Sequence, residues 1–282
     1  MTSPLGNGLR VLQGAGPVVP YGSERLCTYV GMPRGGGSGN NPWLRSSNNA
    51  VPTITSGATI SFSNVRNAVD GAYIRRGGVT NAAPCYTSVV IPELTAYPTA
   101  GAAFGALYPR EYEVFVFAET IRIVSSAALP NGHRLAHGFT LVGNLLAGFP
   151  LLSAGSWRGI ALFQRQIGAV TDYVVAVKDA NPATVFPVTG VDLSVRTTVE
   201  HRLYAPKLDR AAKYELWING ARVIELDSTL PNWPVPLSAA DTWQLLPMAM
   251  DNPGGAINVG MRVWGSQIII GADSPGTFPF GG

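Results

Sequence analysis

Short β-prone runs recur along most of this chain, and no window shows the sustained 3.6-residue apolar period of a helix. The runs are rich in Val, Ile, Phe, Tyr and Thr, and Gly, Pro, Asn and Asp separate them. The 282 residues include 33 glycines and 22 prolines, which suits many turns and argues against a helical bundle. The pattern therefore predicts an all-β protein, an antiparallel β-sandwich of about twelve strands.

The predicted strands begin near residue 60, where the sequence changes from a glycine- and proline-rich composition to recurring β-prone runs. They are Thr59–Phe62, Ala72–Arg75, Tyr86–Ile91, Glu111–Val124, Gly138–Gly143, Trp157–Gln164, Asp172–Val177, Asp192–Tyr204, Lys213–Ile218, Ala221–Leu226, Trp243–Met250 and Met261–Ile270. We assign residues 61–282 to the sandwich domain. Within it, residues 61–110 either belong to the sandwich or bridge to it.

Residues 1–60 differ from the rest, because they are rich in glycine and proline and lack the material for a core of their own. They hold four arginines and one acidic residue, so the formal net charge of +3 arises there. The arginines are Arg10, Arg25, Arg34 and Arg45. We predict an extended basic arm, ordered against other subunits, in which these four arginines are candidate anchoring residues. Short extended pieces, Arg10–Gln13 and Leu26–Val30, are candidates to extend a sheet edge.

Only 13% of the residues are charged, which is low for a freely diffusing domain and favours a surface covered by neighbours. Three of the 20 basic residues are lysines, which fits interface use of arginine and equally fits a compositional bias of the source genome. Dense basic blocks are absent, so nucleic acid is not an expected partner. The chain also predicts no secretory signal and no membrane span. Cys27 and Cys85 are expected to be separate buried thiols, with a single bridge as the alternative.

The clearest local signal is the segment from Lys213 to Leu226, in which Asn219-Gly220 divides two alternating runs. Asn-Gly supplies the positive φ angles of a type I′ turn, so a two-residue hairpin is predicted. Ile218 then pairs with Ala221, Trp217 with Arg222 and Leu216 with Val223. The Trp217–Arg222 pair is a candidate cation–π stack on the outer face.

The run Tyr214-Glu-Leu-Trp-Ile-Asn-Gly-Ala-Arg-Val resembles the late hairpin of concanavalin A-like and laminin-G-like jelly rolls. Met261-Arg-Val-Trp-Gly-Ser-Gln-Ile-Ile-Ile suits the closing strand of that fold. The resemblance covers about residues 85–272 and implies two antiparallel sheets packed face to face. Proteins of this kind bind glycans, mediate adhesion or stand on phage and virus particles, often as trimers. The acidic loop pattern of the calcium-binding members is absent here, so no metal or other cofactor is predicted.

The acidic and histidine residues form no complete catalytic pattern. Glu225-Leu-Asp227 matches the first half of the Glu-x-Asp-x-x-Glu site of hydrolytic jelly rolls, but Leu230 occupies the third acidic position. His133 and His137 lie four apart in an expected loop that leads into a strand, without a zinc-protease glutamate. His201 is expected to be structural. These patterns predict that the protein is not an enzyme.

Exposed aromatic rings beside polar turns can stack on sugars, since both offer flat apolar faces. Trp233, in the turn Pro231-Asn-Trp-Pro, is the leading candidate for a glycan contact. Asp251 and Asn252, in the turn Asp251-Asn-Pro-Gly-Gly, are further candidates. Most of the other tryptophans are expected to fill the core.

Taken together, these features favour a non-enzymatic structural component of a particle, above all a phage capsid-decoration or fibre protein in a virion. It would be made in the host cytoplasm, anchored to other virion subunits by its arm, and form a homo-oligomer such as a trimer. The alternative is a lectin-like, carbohydrate-binding adhesion module. A glycoside hydrolase or lyase of jelly-roll fold is the third hypothesis.

Overall fold

The computed structural model describes residues 27–31, 53–56, 61–63, 73–76, 85–90, 114–125, 127–141, 157–179, 182–204, 211–234, 243–251 and 259–271. The described residues form fifteen β-strands. These are β1 (Cys27–Gly31), β2 (Thr53–Ser56), β3 (Ser61–Ser63), β4 (Tyr73–Arg76), β5 (Cys85–Val90), β6 (Val114–Ser125), β7 (Arg134–Leu141), β8 (Arg158–Ile167), β9 (Val170–Lys178), β10 (Thr184–Pro187), β11 (Thr197–Tyr204), β12 (Lys213–Ile218), β13 (Ala221–Asp227), β14 (Trp243–Asp251) and β15 (Val259–Gly271). In this described part, no helix has the length and apolar character needed to cross a bilayer.

The strands form two antiparallel sheets. Sheet I has the order β13-β12-β11-β6-β15-β4-β3, and β1 also pairs with β15. Sheet II has the order β10-β9-β8-β7-β14-β5-β2. The predicted all-β, antiparallel sandwich is therefore confirmed. Because β6 and β7 are central in their sheets, the side chains that join the two layers come mainly from these strands and their neighbours.

The core lies between the two sheets and follows from the alternation of side chains along each strand. Phe115 and Phe117 of β6 face Phe139 of β7, and the rings of Phe115 and Phe139 are 5.0 Å apart. All three side chains are fully buried. Each buried phenylalanine stabilises the fold by about 1.5–3 kcal/mol relative to an exposed one. A polar side chain at an inward position of these strands must therefore find a partner inside the protein.

The predicted Asn-Gly hairpin is confirmed, with one change of register. Asn219 and Gly220 have φ angles of 49° and 81°, as a type I′ turn requires. Ile218 pairs with Ala221 and Trp217 with Arg222, as expected. A β-bulge then shifts the pairing, so Leu216 lies opposite Ile224 instead of Val223. The prediction missed the bulge because it places one extra residue in β13 that the turn sequence does not reveal.

Two further strand predictions need correction. The strand predicted over 192–204 begins only at Thr197, because Asp192 accepts a hydrogen bond from the Ser194 N–H (2.8 Å) and forms a turn. The strand β10 was not predicted. It is a four-residue edge strand that ends in proline, so its sequence lacks a long alternating run.

Two segments of the predicted arm belong to the sandwich. Residues Cys27–Gly31 pair with Ile270–Ser266 of β15, as the predicted sheet-edge role of Leu26–Val30 suggested. Residues Thr53–Ser56 pair with β5. Strands β3, β4 and β5 likewise pair within the two sheets, and the division of the chain into domains stays a prediction. Arg10–Gln13 and the rest of the predicted arm lie outside the described residues, and the arm remains a prediction there.

Candidate functional site

A cleft of about 460 Å³ opens at one end of the sandwich, between the two sheets. Its walls come from the end of β6, the connection from β6 to β7, the inward face of β8 and β9, and the loop before β11. The lining residues are Arg122, Ile123, Val124, Ser125, Ala127, Ala128, Leu129, Gln164, Thr171, Tyr173, Asp192 and Ser194. The volume falls within the roughly 300–1,000 Å³ range of small-molecule sites.

The polar groups of the cleft are held by hydrogen bonds from the loop before β11. Arg122 donates from Nε to the Ser194 carbonyl (2.8 Å), and Tyr173 accepts the Leu193 N–H (3.0 Å). Burial raises the pKa of Tyr173, so its phenol keeps a proton to donate. Hydrogen bonds from Ser194 lower the pKa of Asp192, which stays ionised. The cleft thus offers fixed donors and acceptors on an apolar base.

Gln164 is the unusual member of this set. It projects inward from β8, its residue is 5% exposed, and it lines the cleft. Its Oε1 atom is buried and has no hydrogen-bond partner in the structure. Leaving a buried acceptor unpaired costs about 1–3 kcal/mol. By contrast, Gln166, two residues further along the same face, is fully paired. It donates to the Gly168 carbonyl (3.0 Å) and accepts from the Thr171 hydroxyl (2.8 Å).

Trp233, the leading predicted glycan contact, lies in the core. The predicted turn is present: Asn232 has a φ of 63°, and its side chain donates to the Pro182 carbonyl (2.8 Å). This contact directs Trp233 into the inter-sheet cluster, where the residue is 8% exposed. The side chain therefore offers no free ring face to a sugar. The sequence indicated a turn correctly but gave no sign that the ring closes the sandwich edge between β13 and β10.

The other predicted contacts fall partly within the described residues. Asp251 ends β14 and pairs in register with Arg134, the first residue of β7. Since the connection into β7 forms one wall of the cleft, the end of β14 lies at the cleft end of the sandwich. Asn252 and the four anchoring arginines, Arg10, Arg25, Arg34 and Arg45, lie outside the described residues. Their predicted roles remain predictions.

Glu225 and Asp227 lie away from the cleft on the edge strand β13. Glu225 forms an ion pair with Arg222, and Asp227 accepts the Thr229 N–H (2.9 Å). Both carboxylates are thus used in local surface contacts. The arrangement fits the predicted hairpin end and brings neither residue to a substrate-sized cavity of the described structure.

The predicted cation–π stack forms with a different arginine. Arg202 of the neighbouring strand β11 lies over the Trp217 ring at 4.2 Å. Arg222, the predicted partner, instead contacts Glu215 (3.2 Å) and Glu225. Although burial alone raises the pKa of Glu215, hydrogen bonds from Lys213, Trp217 and Tyr204 hold it at about 2. The carboxylates of the hairpin draw Arg222 away from the indole ring.

A second polar group lies in the middle of the core and crosses from one sheet to the other. We call it the polar chain, and it consists of Ser266, Glu119, His137, His201 and Tyr214. All five residues are 0% exposed. Ser266 donates to Glu119 Oε1, and Glu119 Oε2 lies 3.0 Å from His137 Nε2. His137 Nδ1 lies 2.8 Å from His201 Nε2, and His201 Nδ1 lies 2.7 Å from the Tyr214 hydroxyl.

Neutral histidines satisfy every bond of the polar chain. Burial keeps the pKa of His201 well below 6.5 and that of Tyr214 well above 10, so His201 is uncharged and Tyr214 holds its proton. Tyr214 then donates to His201, His201 to His137, and His137 to the Glu119 carboxylate. Phe117 stacks on His137 at 4.6 Å and closes the chain off from water.

The histidine predictions are therefore revised in detail. His137 lies inside β7 and not in a loop, and it meets His201, which has the structural role predicted for it. His133 lies in the turn before β7, fully buried, with neither ring nitrogen hydrogen-bonded. Burial lowers its pKa to about 4. Within the described ranges, no cluster of His, Cys, Asp or Glu is arranged to hold a metal ion.

Glu119 and Gln164 were not among the predicted site residues, although a signal for each is present in the sequence. Glu119 falls at an inward position of the apolar strand β6, two residues after Phe117. Gln164 likewise follows Ile160 and Leu162 on the inward face of β8. A polar residue at such a position has to be paired inside the protein or face a cavity.

Fold and cleft together define an all-β sandwich with a ligand-sized site at one end. No family model and no curated protein sequence matches the chain. Among solved structures, it is similar to the carbohydrate recognition domain of Emp47p (TM-score 0.44, 11% identity, 81% of this chain and 91% of that one). It is also similar to the legume lectin-like domain from Entamoeba histolytica (0.43, 11%, 78% and 90%). A third similar structure is the botulinum neurotoxin serotype D binding domain (0.43, 10%, 88% and 48%). Similarity at this level assigns no ligand or activity to the chain.

Proposed function

We propose that this protein is a non-catalytic carbohydrate-binding module and that the cleft between the ends of the two sheets binds a sugar. The observation that carries the proposal is the buried, unpaired Oε1 of Gln164 in the cleft wall. A sugar hydroxyl is a donor of the right kind for this acceptor. The virion role of the earlier hypothesis remains a prediction, because it depends on residues outside the described structure.

The remaining lining of the cleft suits the same class of ligand. Sugars present hydroxyls around their edges and apolar C–H faces above and below the ring. Thr171 and Asp192 supply polar groups around the opening, while Ile123 and Leu129 supply apolar surface. Tyr173 offers both an aromatic face and a proton-bearing hydroxyl. Pockets that hold small ligands typically combine an apolar lining with a few placed polar groups in this way.

The direct test is an oligosaccharide array followed by calorimetric titration of the strongest binder, with wild type and Gln164→Leu. We expect wild type to bind saturably. We expect Gln164→Leu to bind about ten-fold more weakly or worse, since a buried hydrogen bond of about 1.5 kcal/mol is lost. Absence of saturable binding across a broad array would contradict the proposal, as would full binding by Gln164→Leu.

Gln166→Leu is the matched control for this experiment. It makes the same chemical change on the same strand face, but at a residue that is already paired and does not line the cleft. Its binding should weaken less than that of Gln164→Leu. An equal loss in both variants would indicate a general disturbance of β8 and not a ligand contact.

A further inference from the structure

The exposed apolar side chains of this protein gather at the cleft end of the sandwich. Four large apolar side chains are exposed among the described residues: Ile167 (57%), Val170 (65%), Val195 (53%) and Val185 (41%). The first three belong to the β8–β9 hairpin and to the loop before β11, which flank the cleft, whereas Val185 lies on the edge strand β10. We call Ile167, Val170 and Val195 the apolar rim. Single exposed apolar residues are common, but their grouping at one end of a domain points to a contact surface.

The hairpin that carries Ile167 and Val170 is braced by the rest of the protein. Ile167 pairs with Val170 across a two-residue turn, in which Gly168 has a φ of 61°. The Gly168 N–H donates to the side-chain oxygen of Asn131 (2.7 Å), and its carbonyl accepts from Gln166 Nε2 (3.0 Å). These bonds fix the turn, so the exposure of the two apolar side chains is a property of the folded state.

Two exposed arginines lie beside Val195 on the other side of the cleft. Arg196 follows Val195 in the chain and stacks on Trp264 at 5.2 Å. Arg122 donates from Nε to the carbonyl of Ser194, the residue before Val195 (2.8 Å). Because its neighbours in β6 face the core, the Arg122 side chain projects from the outer face of sheet I. Neither guanidinium has a carboxylate within ion-pair distance in the described part of the chain.

The acidic residues of this end do not cancel the two arginines. Asp172 is ion-paired with Arg165 across the β8–β9 hairpin. Asp192 accepts a backbone N–H of its own loop (2.8 Å) and sets one negative charge against the positive charges of Arg122 and Arg196. The loop side of the apolar rim therefore carries an excess of positive charge.

We infer that this end of the sandwich rests on a lipid bilayer that contains anionic lipids. The apolar rim lies in the headgroup region, and Arg122 and Arg196 face the phosphate and carboxylate groups of the lipids. Peripheral binding of this kind strengthens with the apolar area that is buried and with the attraction between basic side chains and anionic lipids. The inference goes beyond the proposed glycan binding and does not depend on it.

A bilayer suits the shape of the apolar rim better than a protein surface does. The aliphatic groups protrude on two sides of a polar cleft, so the apolar area is divided into separate small parts. The core of a protein–protein interface is instead a closely packed patch enriched in aromatic residues. Fluid lipids can surround both protrusions at once, while their polar headgroups cover the cleft between them.

Co-sedimentation of the full chain with lipid vesicles tests the inference. The probes are vesicles of phosphatidylcholine alone and vesicles of phosphatidylcholine and phosphatidylserine in equal parts, both without glycolipid. We expect binding to the mixed vesicles. Binding to the neutral vesicles should be roughly ten- to thirty-fold weaker, because each arginine near an anionic surface contributes about five-fold. Raising sodium chloride should reduce this difference.

Matched valine substitutions separate the apolar rim from the rest of the surface. Val170→Ser and Val195→Ser should each weaken binding to the mixed vesicles by about ten-fold, since an apolar side chain that the lipids bury is replaced by a polar one. Val185→Ser makes the same change at an exposed valine that lies opposite Ala176, well along β9 from the hairpin turn. It should bind like wild type.

Arginine variants test the charge contribution. The double variant Arg122→Gln/Arg196→Gln should lose most of the preference for anionic vesicles. Arg222→Gln is its control, because Arg222 is an exposed arginine of the β13 strand that already has carboxylate partners. It should keep the preference of wild type. Urea unfolding of each variant verifies that it is folded.

The outcomes separate this inference from the proposed function. Failure of wild type to bind the mixed vesicles overturns the inference, and so does an equal loss of binding in Val185→Ser and Val195→Ser. Self-association in place of vesicle binding, weakened by Val170→Ser but not by Val185→Ser, would identify this end as a contact between two copies of the chain and would also overturn it. Sugar binding is measured in solution without vesicles, so the failure of one proposal leaves the other standing.

Discussion

The polar chain and the cleft place polar side chains in the same sandwich under opposite conditions. In the polar chain, four side chains lie deep in the core, those of Glu119, His137, His201 and Tyr214. The hydrogen bonds between them are 3.0 Å long or shorter. In the cleft, Gln164 is nearly as buried, yet its Oε1 has no partner. The two groups differ in pairing much more than in burial.

This difference separates a structural role from a binding role. A complete hydrogen-bonded chain inside the core ties the two sheets together and fixes how they are aligned. An unpaired, buried acceptor in the cleft wall destabilises the fold and lowers the cost of taking up a donor from outside. Burial alone would not have distinguished the structural group from the candidate binding group.

The largest effect is expected from breaking the polar chain. His201→Leu removes the hydrogen bonds that His201 makes to His137 Nδ1 and to the Tyr214 hydroxyl, both of which are fully buried. We expect the free energy of unfolding to fall by about 3–5 kcal/mol, the range for breaking a buried polar or charged pair. Urea unfolding followed by tryptophan fluorescence measures this change. A loss below about 1 kcal/mol would show that the polar chain is not what holds the sheets in alignment.

Acidification is expected to act next, through the buried histidines. Below pH 6.5 an unfolded histidine binds a proton, whereas burial lowers the pKa of folded His133 to about 4. Stability is therefore lost as the pH falls from 6.5 to about 4, by about 3 kcal/mol for His133. His201, whose pKa is also lowered, acts in the same direction. Urea midpoints measured across this interval check the sign and size.

A variant isolates the contribution of His133. His133→Phe removes the titrating group and keeps an aromatic ring in the turn before β7. The variant should lose less stability than wild type between pH 6.5 and 4. The same acid sensitivity in both proteins would assign the effect to other groups.

A smaller effect, of opposite sign, is expected in the cleft. Gln164→Leu replaces an unpaired buried amide with an apolar side chain of similar size, so the free energy of unfolding should rise by about 1 kcal/mol. Gln166→Leu should lower it by about 1 kcal/mol, because two existing hydrogen bonds are lost. Thermal and urea unfolding of the two variants, side by side, make the comparison. Destabilisation of both variants to the same extent would contradict the contrast between paired and unpaired groups.

The smallest effect is expected on the surface. Arg222 is 48% exposed in its ion pairs with Glu215 and Glu225. Arg222→Gln should change the free energy of unfolding by about 0.5 kcal/mol, since exposed ion pairs contribute little. This change should disappear in high salt. A loss of 2 kcal/mol or more would indicate that the hairpin ion pairs support the fold as strongly as the core does.

Much of the fold was predictable because alternation and turn chemistry are local signals. From the Asn219-Gly220 dipeptide alone, the positive φ angles of the turn and the first two residue pairs of the hairpin could be predicted. The bulge that follows was not predictable, since it reflects packing of β13 against its neighbours. The short edge strand β10 was missed for a related reason, because four residues carry too little pattern.

The candidate site was much less predictable. The cleft unites residues from β6, β8, β9 and the loop before β11, which are separated in sequence by up to 72 positions between Arg122 and Ser194. Trp233 shows the converse limit. Its turn was foreseeable, but whether its ring faced solvent or the core depended on the edge strand β10, which the sequence had not revealed.

The bulge in β15 adds one residue to that strand without changing which residues meet in the core. Up to Val263 the inward residues are every second one, and the register shift between Val263 and Gly265 then places Ser266 opposite Glu119. Trp264 is the residue that the shift accommodates, so deleting Trp264 alone would leave Val263 opposite Ile121 and Ser266 opposite Glu119 in a regular ladder. In a related sequence, an alignment gap at this position would therefore remove the bulge and keep the contact between Ser266 and Glu119.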